Sequence, residues 1–326
     1  MGRRLSASTA LTGAAVASLL LPGQLPTFGQ GRVAPFYKSG VFTVPAGVEK
    51  VRLRVHGGGG YLVYDGSTTT RFAGGAASVG ALISATGGQA GNGSTPGAGG
   101  VGVGGDFQAS GGAGGNERGG GGGGAGTSLG NGGRGGAGAS ANGSGGGGAP
   151  GGKIGGDNAD RTAGAFTGGA SALESAVGSI GGRDLRGGAF SWTTASAQSP
   201  VTGGWPLPFA MFAFPGHGAQ GSSSSNGSMG GVGGGGGGGT TGGHGYDGGG
   251  GGGSSDASPS GSYFAFLGAL GSGVTPSLTR GPGGGGGTNL HAGCGGGGYA
   301  HGVFAVAADQ LLTITVGVGA LVIVEW

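Results

Sequence analysis

The chain has 326 residues, of which 101 are glycine, only 8% are charged, and the net charge is +3. Disordered chains combine low hydrophobicity with high charge, and this one is 35% hydrophobic with few solvating charges. Collagen is excluded by the lack of a strict Gly-X-Y period and by a proline count of only 13.

In chain order, the first segment spans residues 1–32. Arg3-Arg4 precedes the apolar run Ala10–Leu21, which ends at Pro22. The run resembles a secretory signal peptide and is too short for a transmembrane helix, but no A-x-A cleavage site follows. Two readings are open: a cleaved signal, or a retained attachment segment that docks the protein onto a larger assembly.

Next comes VFTVPAGVEKVRLRVH, Val41 to His56. Val51, Leu53 and Val55 alternate with Arg52, Arg54 and His56, the period of a half-buried strand. Pro45-Ala46-Gly47 is a turn signal between that strand and Val41–Val44. At the other end of the chain, Gly302–Val306, Leu311–Val316 and Leu321–Trp326 read as three more strands. Leu312, Ile314 and Val316 form one face, with Thr313 and Thr315 opposite. Two separate minimal sheets would each be marginal. Pairing into one small antiparallel module, residues 33–60 with 299–326, is therefore predicted.

Between these ends, residues 61–298 hold unbroken glycine runs such as Gly119–Gly124, Gly233–Gly239 and Gly283–Gly287. Glycine has no side chain to bury and loses the most backbone freedom on ordering. Order therefore requires the backbone itself to pack. A polyproline-type helix has three residues per turn, rises about 3.1 Å per residue and points its N–H and C=O groups sideways. Without Cβ atoms such helices approach closely and satisfy one another's buried backbone groups. The expected fold is mainly β: a small antiparallel module from both chain ends, a large interior of packed polyglycine II helices and irregular loops, and almost no α-helix.

The interior also carries apolar inserts. Phe190–Phe214 contains Trp192, Trp205, Phe209, Phe212 and Phe214, and Ser262–Leu278 contains Tyr263, Phe264 and Phe266. Tyr61–Phe72 is a third insert. Aromatic residues are enriched where surfaces bind partners, and these eight are the candidate receptor or subunit contacts. Three readings stand: a binding tip, a cover folded onto the glycine interior, or a subunit interface.

Motifs of catalytic or cofactor chemistry are weak. At this glycine content GxGxxG carries no weight without its strand and acidic residue. Gly147–Ile154 approaches a phosphate loop but has Ile154 where Ser or Thr must hold Mg²⁺. Asp157-Asn158-Ala159-Asp160 reads as an exposed turn, and Gly99–Phe107 fails the calcium-repeat spacing at Asp106. His291 and Cys294 lack the second pair of a zinc site. Cys294 is the sole cysteine, so no intrachain disulfide forms. Arg118, Arg134 and Arg186 each precede two glycines, but they are too sparse for a nucleic-acid tract and read as solvated arginines on loop tips. Asn92, Asn142 and Asn226 begin N-G-S triplets, where Asn-Gly marks turns. The sequence predicts no enzyme, cofactor, metal or nucleic-acid partner.

Two stretches carry a family resemblance. One is Phe42-Thr43-Val44-Pro45-Ala46-Gly47-Val48, then Val51–His56 and Gly57–Gly60. The other is Gly295–Gly298, Tyr299-Ala300, Leu311–Gly319 and Val322-Ile323-Val324-Glu325-Trp326. Together they resemble the Gly-rich domains of tailed-bacteriophage tail fibres and appendages, some of which are adhesins with stacked polyglycine helices. The chain departs from that pattern where Ala320 joins the last two strands almost directly. The resemblance implies a virion structural protein of the tail. Its implied partners are other tail proteins, a possible homotrimer of itself, and a host surface glycan or outer-surface protein. The alternative reading is a secreted Gly-rich cell-surface or wall protein.

Overall fold

The computed structural model describes residues 32–64, 67–138, 145, 147–148, 242, 245, 248–253 and 281–326. Among these there are strands and no helix. The strands are β1 (Val33–Phe36), β2 (Gly40–Thr43), β3 (Lys50–His56), β4 (Tyr61–Tyr64), β5 (Thr69–Phe72), β6 (Ala77–Val79), β7 (Ile83–Ala85), β8 (Gly102–Gly104), β9 (Phe107–Ala109), β10 (Tyr299–Ala305), β11 (Leu311–Val316) and β12 (Leu321–Glu325).

Two five-stranded antiparallel sheets face each other, ordered β1-β12-β3-β10-β9 and β2-β11-β6-β7-β8. The alternation in β3 decides its orientation: Val51, Leu53 and Val55 are buried between the sheets while Arg52 and Arg54 face outward. Leu312 and Ile314 of β11 and Val322 and Val324 of β12 meet them, with Phe42, Val44, Val79 and Ile83 completing the core. Phe42 packs against Trp326 with the rings tilted and 4.8 Å apart, and it meets Phe36 edge-on at 6.5 Å, closing one side. Val48 N–H donates to the Pro45 carbonyl, and Gly47 has φ +80, so the predicted turn needs its glycine.

The strands predicted from the two chain ends are present as β2, β3, β10, β11 and β12. The sandwich also takes β6, β7, β8 and β9 from residues 77–109, which the sequence places in the glycine-rich interior, and β1 on the edge beside β12. These extra strands are three or four residues long, with small residues such as Ala77, Ser78, Ala85 and Gly102. They are too short to display a period of two against a glycine background.

The sandwich does not stop at its strand ends. The β3–β10 ladder pairs His56 with Tyr299, and the next bond is Gly57 N–H to the Gly298 carbonyl at 2.9 Å. From there the glycine segments bond sideways with a period of three. Gly57 and Gly60 donate to Gly298 and Gly295; Gly111 and Gly114 donate to Gly100 and Gly97; Gly121 and Gly124 donate to Gly136 and Gly133. Segment 293–298 bonds six neighbours. It donates to 112–115, 282–285 and 86–89, and it accepts from 57–60, 97–100 and 123–126.

At most glycine positions of this array the surrounding backbone leaves no room for a side chain. A Cβ on Gly293, Gly295, Gly296 or Gly297 would lie closer than 3.0 Å to a carbonyl of segments 121, 98, 124 or 57 respectively. Segments on the outside carry side chains every third residue: Thr86, Gln89 and Asn92; Ser110, Ala113 and Asn116; Asn131, Arg134 and Ala137. None of these nine is fully buried, whereas 119–126 and 281–287 are buried throughout. One third of each outer turn faces water and takes the polar side chains, while the enclosed segments hold few, among them Ala125, Pro282, Ala292 and Cys294.

Candidate distal turn surface and buried groups

The array has two poles. Segments 86–91 and 110–115 leave the sandwich after β7 and β9, and segment 293–298 returns into β10. At the pole away from the sandwich three turns meet: 92–95, 116–119 and 288–291. Asn92 and Thr95 exchange backbone hydrogen bonds at 2.8 Å, with Gly93 at φ +56. Thr288 and His291 do likewise at 2.9 and 3.1 Å, and the Thr288 hydroxyl accepts from Leu290 N–H. The turns are cross-bonded: Glu117 N–H donates to the Ser94 carbonyl, Ala292 N–H to Gly93, and Gly119 N–H to both Thr288 and His291. Glu117 itself has φ 61, a strained setting for a non-glycine residue.

The surface so made is polar. Asn92, Ser94, Thr95, Asn116, Arg118, Asn289 and Leu290 are exposed. His291 Nδ1 accepts the Gly93 N–H at 3.3 Å, which assigns the ring hydrogen to Nε2. Burial lowers the pKa of His291, and the nearby Arg71 and Arg118 lower it further. Arg71 is exposed on β5, in the hairpin that β4 and β5 form with Tyr61 and Phe72 stacked at 5.0 Å. Two guanidinium groups therefore flank a neutral imidazole on this pole.

At the opposite pole, Arg32 and Trp326 exchange backbone hydrogen bonds at 2.9 and 3.0 Å, one residue beyond the Val33–Glu325 pair. Glu325 lies opposite Arg52, at the end of β3 farthest from the glycine segments. On the outer face of this sheet, Arg54 pairs with Glu325 at 2.7 Å and Arg52 at 3.4 Å. His56, Tyr299, His301 and Phe107 run along the same face, with ring centroids 4.5, 5.5 and 5.3 Å apart. Burial pulls His56 down to about 4, helped by Arg54, and pushes Tyr299 up to about 12. Asp106 accepts the Val303 N–H at 2.9 Å; it serves the strand edge.

The eight aromatic candidates, Trp192, Trp205, Phe209, Phe212, Phe214, Tyr263, Phe264 and Phe266, lie outside the described residues. So do residues 1–31, Arg186, Gly233–Gly239 and the Asp157–Asp160 cluster. Arg118 stands exposed on a turn and Arg134 half-buried on an outer segment. His291 and Cys294 face different surroundings. The former lies in a turn, while the latter is fully buried in the array, its thiol hydrogen-bonded to the Gly91 backbone. No group of three His, Cys, Asp or Glu that would hold a metal occurs among the described residues. The aromatic inserts do not mark the polar pole. Its signal is the set of four-residue interruptions, Asn92–Thr95, Asn116–Gly119 and Thr288–His291, between glycine segments.

Burial pushes the Cys294 thiol up to about 12. Thiolate is the reactive form. The expected result is that a thiol reagent leaves the native chain unlabelled at neutral pH and labels one thiol after denaturation. Fast labelling of the native chain, followed by absorbance, would mean that segment 293–298 is not enclosed.

No family model, no curated protein and no solved structure matches this chain.

Proposed function

We propose that the chain is a virion structural protein of a phage tail or tail-like particle, a fibre, tip or appendage that displays loops for attachment to a host surface. In this reading the glycine interior is an array of packed polyglycine II helices. The three-residue period of its sideways hydrogen bonds supports that assignment, because the helix has three residues per turn. The observation that carries the functional reading is bipolarity. Residue 32 enters at the base of the sandwich, and the polar turns 92–95, 116–119 and 288–291 are knitted together at the far end of the array. Residues 1–31 attach the base to other tail proteins, and the turns are held rigidly toward the host. Weak contacts of each copy are multiplied by copy number, and a trimer of this chain is one such arrangement.

Mass spectrometry of purified particles tests this reading. Stoichiometric recovery of the chain with residues 1–31 retained is expected. Absence from particles, or a chain beginning after Leu21 in the envelope fraction, overturns it in favour of a secreted Gly-rich surface protein.

A further inference from the structure

The distal pole carries an unusual pairing of a reactive dipeptide with a base. Asn92-Gly93 is a sequence in which the glycine nitrogen can attack the preceding side-chain amide, because no Cβ on the glycine obstructs the approach. Asn92 is exposed, and the space beside the Gly93 Cα is open, with nothing within 4 Å of where a Cβ would lie. The Gly93 N–H points at His291 Nδ1, at 3.3 Å. An imidazole nitrogen that accepts this bond is placed to take the proton as the nitrogen attacks.

A second Asn-Gly pair in the described residues is held in the opposite way. The Asn131 side-chain oxygen accepts the Ser110 N–H at 2.9 Å, and the Gly132 N–H donates to the Ser110 carbonyl at 2.8 Å. Its amide is pinned, and its glycine nitrogen faces a carbonyl that cannot act as a base at neutral pH.

We propose that Asn92 is a self-modifying site, at which His291 promotes intramolecular deamidation while Asn131 stays intact. The Gly93 nitrogen forms a bond to Asn92 Cγ as its proton passes to His291 Nδ1. The tetrahedral centre collapses by breaking the Cγ–Nδ2 bond, and the imidazolium returns the proton to the departing amide nitrogen, which leaves as ammonia. Water then opens the five-membered imide at either carbonyl, giving aspartate or isoaspartate at position 92. No oxidant or cofactor is consumed. The charged groups facing the imidazole are Arg71 on β5 and Arg118, with Glu117 in the adjoining turn. Burial and then the two arginines keep the imidazole in its basic, neutral form, and the arginines favour the new carboxylate once it exists. The pole thereby changes from an amide surface flanked by cations to one carrying its own anion.

Peptide mapping of the aged, native full-length chain, by fragmentation that separates Asn, Asp and isoAsp, tests this directly. Conversion is expected at Asn92 and not at Asn131. His291→Phe is expected to slow it at least about tenfold, conservative against the hundredfold or more that a positioned base contributes. A merely structural His291 gives the opposite sign, because loosening the turn speeds attack. The pH profile of the unmodified sequence is a second readout. The rate is expected to level off above the His291 pKa and fall below it. A rate first order in hydroxide throughout, equal conversion at both asparagines, or unchanged or faster conversion in His291→Phe overturns the proposal. The mapping needs no particle and is read independently of whether the chain is found in virions.

Discussion

Gly297→Ala is expected to destabilise the chain by more than about 3 kcal/mol, beyond the usual range for overpacking, while Gly40→Ala stays near neutral. The added methyl at 297 would overlap both the carbon and the oxygen of the Gly57 carbonyl and press on the Gly58 carbonyl oxygen at 3.0 Å. Both obstacles are backbone held by further hydrogen bonds, so neither can turn aside as a side chain would. At Gly40 the methyl meets only the Phe36 ring, at 3.8 Å, an ordinary contact. Urea midpoints of the two variants decide the matter. If the glycine segments were loops in water, Gly297→Ala would be neutral or stabilising by about 0.4–1 kcal/mol, through the lower entropy of the unfolded chain. The sign of the effect therefore discriminates, not only its size.

Acid is expected to weaken the fold before most carboxylates protonate. His56 titrates at about 4 in the folded chain against an ordinary 6.5, because burial and Arg54 disfavour its charged form. The unfolded chain thus binds this proton first as pH falls. The stability that His56 contributes by remaining neutral is complete above about 6.5 and is lost between 6.5 and 4, on the order of 2–3 kcal/mol. His291 and His301 are lowered as well and act in the same direction. Denaturant titrations from pH 7 to pH 4 check this, with His56→Gln as the comparison. A flat profile over that window, or an unaltered slope in His56→Gln, contradicts the assigned environment of the ring.

The sandwich core was legible in the sequence where side chains alternate. Val51, Leu53 and Val55 against Arg52, Arg54 and His56 give β3 directly, and Leu312 and Ile314 give β11. Strands β6 to β9 were not legible, because Ala77-Ser78-Val79 or Gly102-Val103-Gly104 is too short and too small to outweigh its surroundings. The glycine interior carries a finer signal than its composition. Uninterrupted runs such as 119–124 and 283–287 are the enclosed segments. Stretches reading S-G-G-A-G-G-N (110–116) or N-G-G-R-G-G-A (131–137) are outer segments with one face in water. That local period of three exists even though no such period spans the chain. The distal turns were half legible. Asn92-Gly93 reads as a turn, but nothing in the sequence brings it to His291, 198 residues along the chain. That meeting depends on two glycine segments packing side by side.

Hydrogen exchange, followed by mass spectrometry on the purified native chain, tests whether a hydrogen-bonded glycine array holds the distal turns at a fixed distance from the sandwich. Amides of residues 57–60, 119–126 and 293–298 are expected to exchange as slowly as those of β3 and β11, because each is bonded and enclosed. Exchange of those segments at the rate of an open chain, while β3 and β11 stay protected, would contradict it.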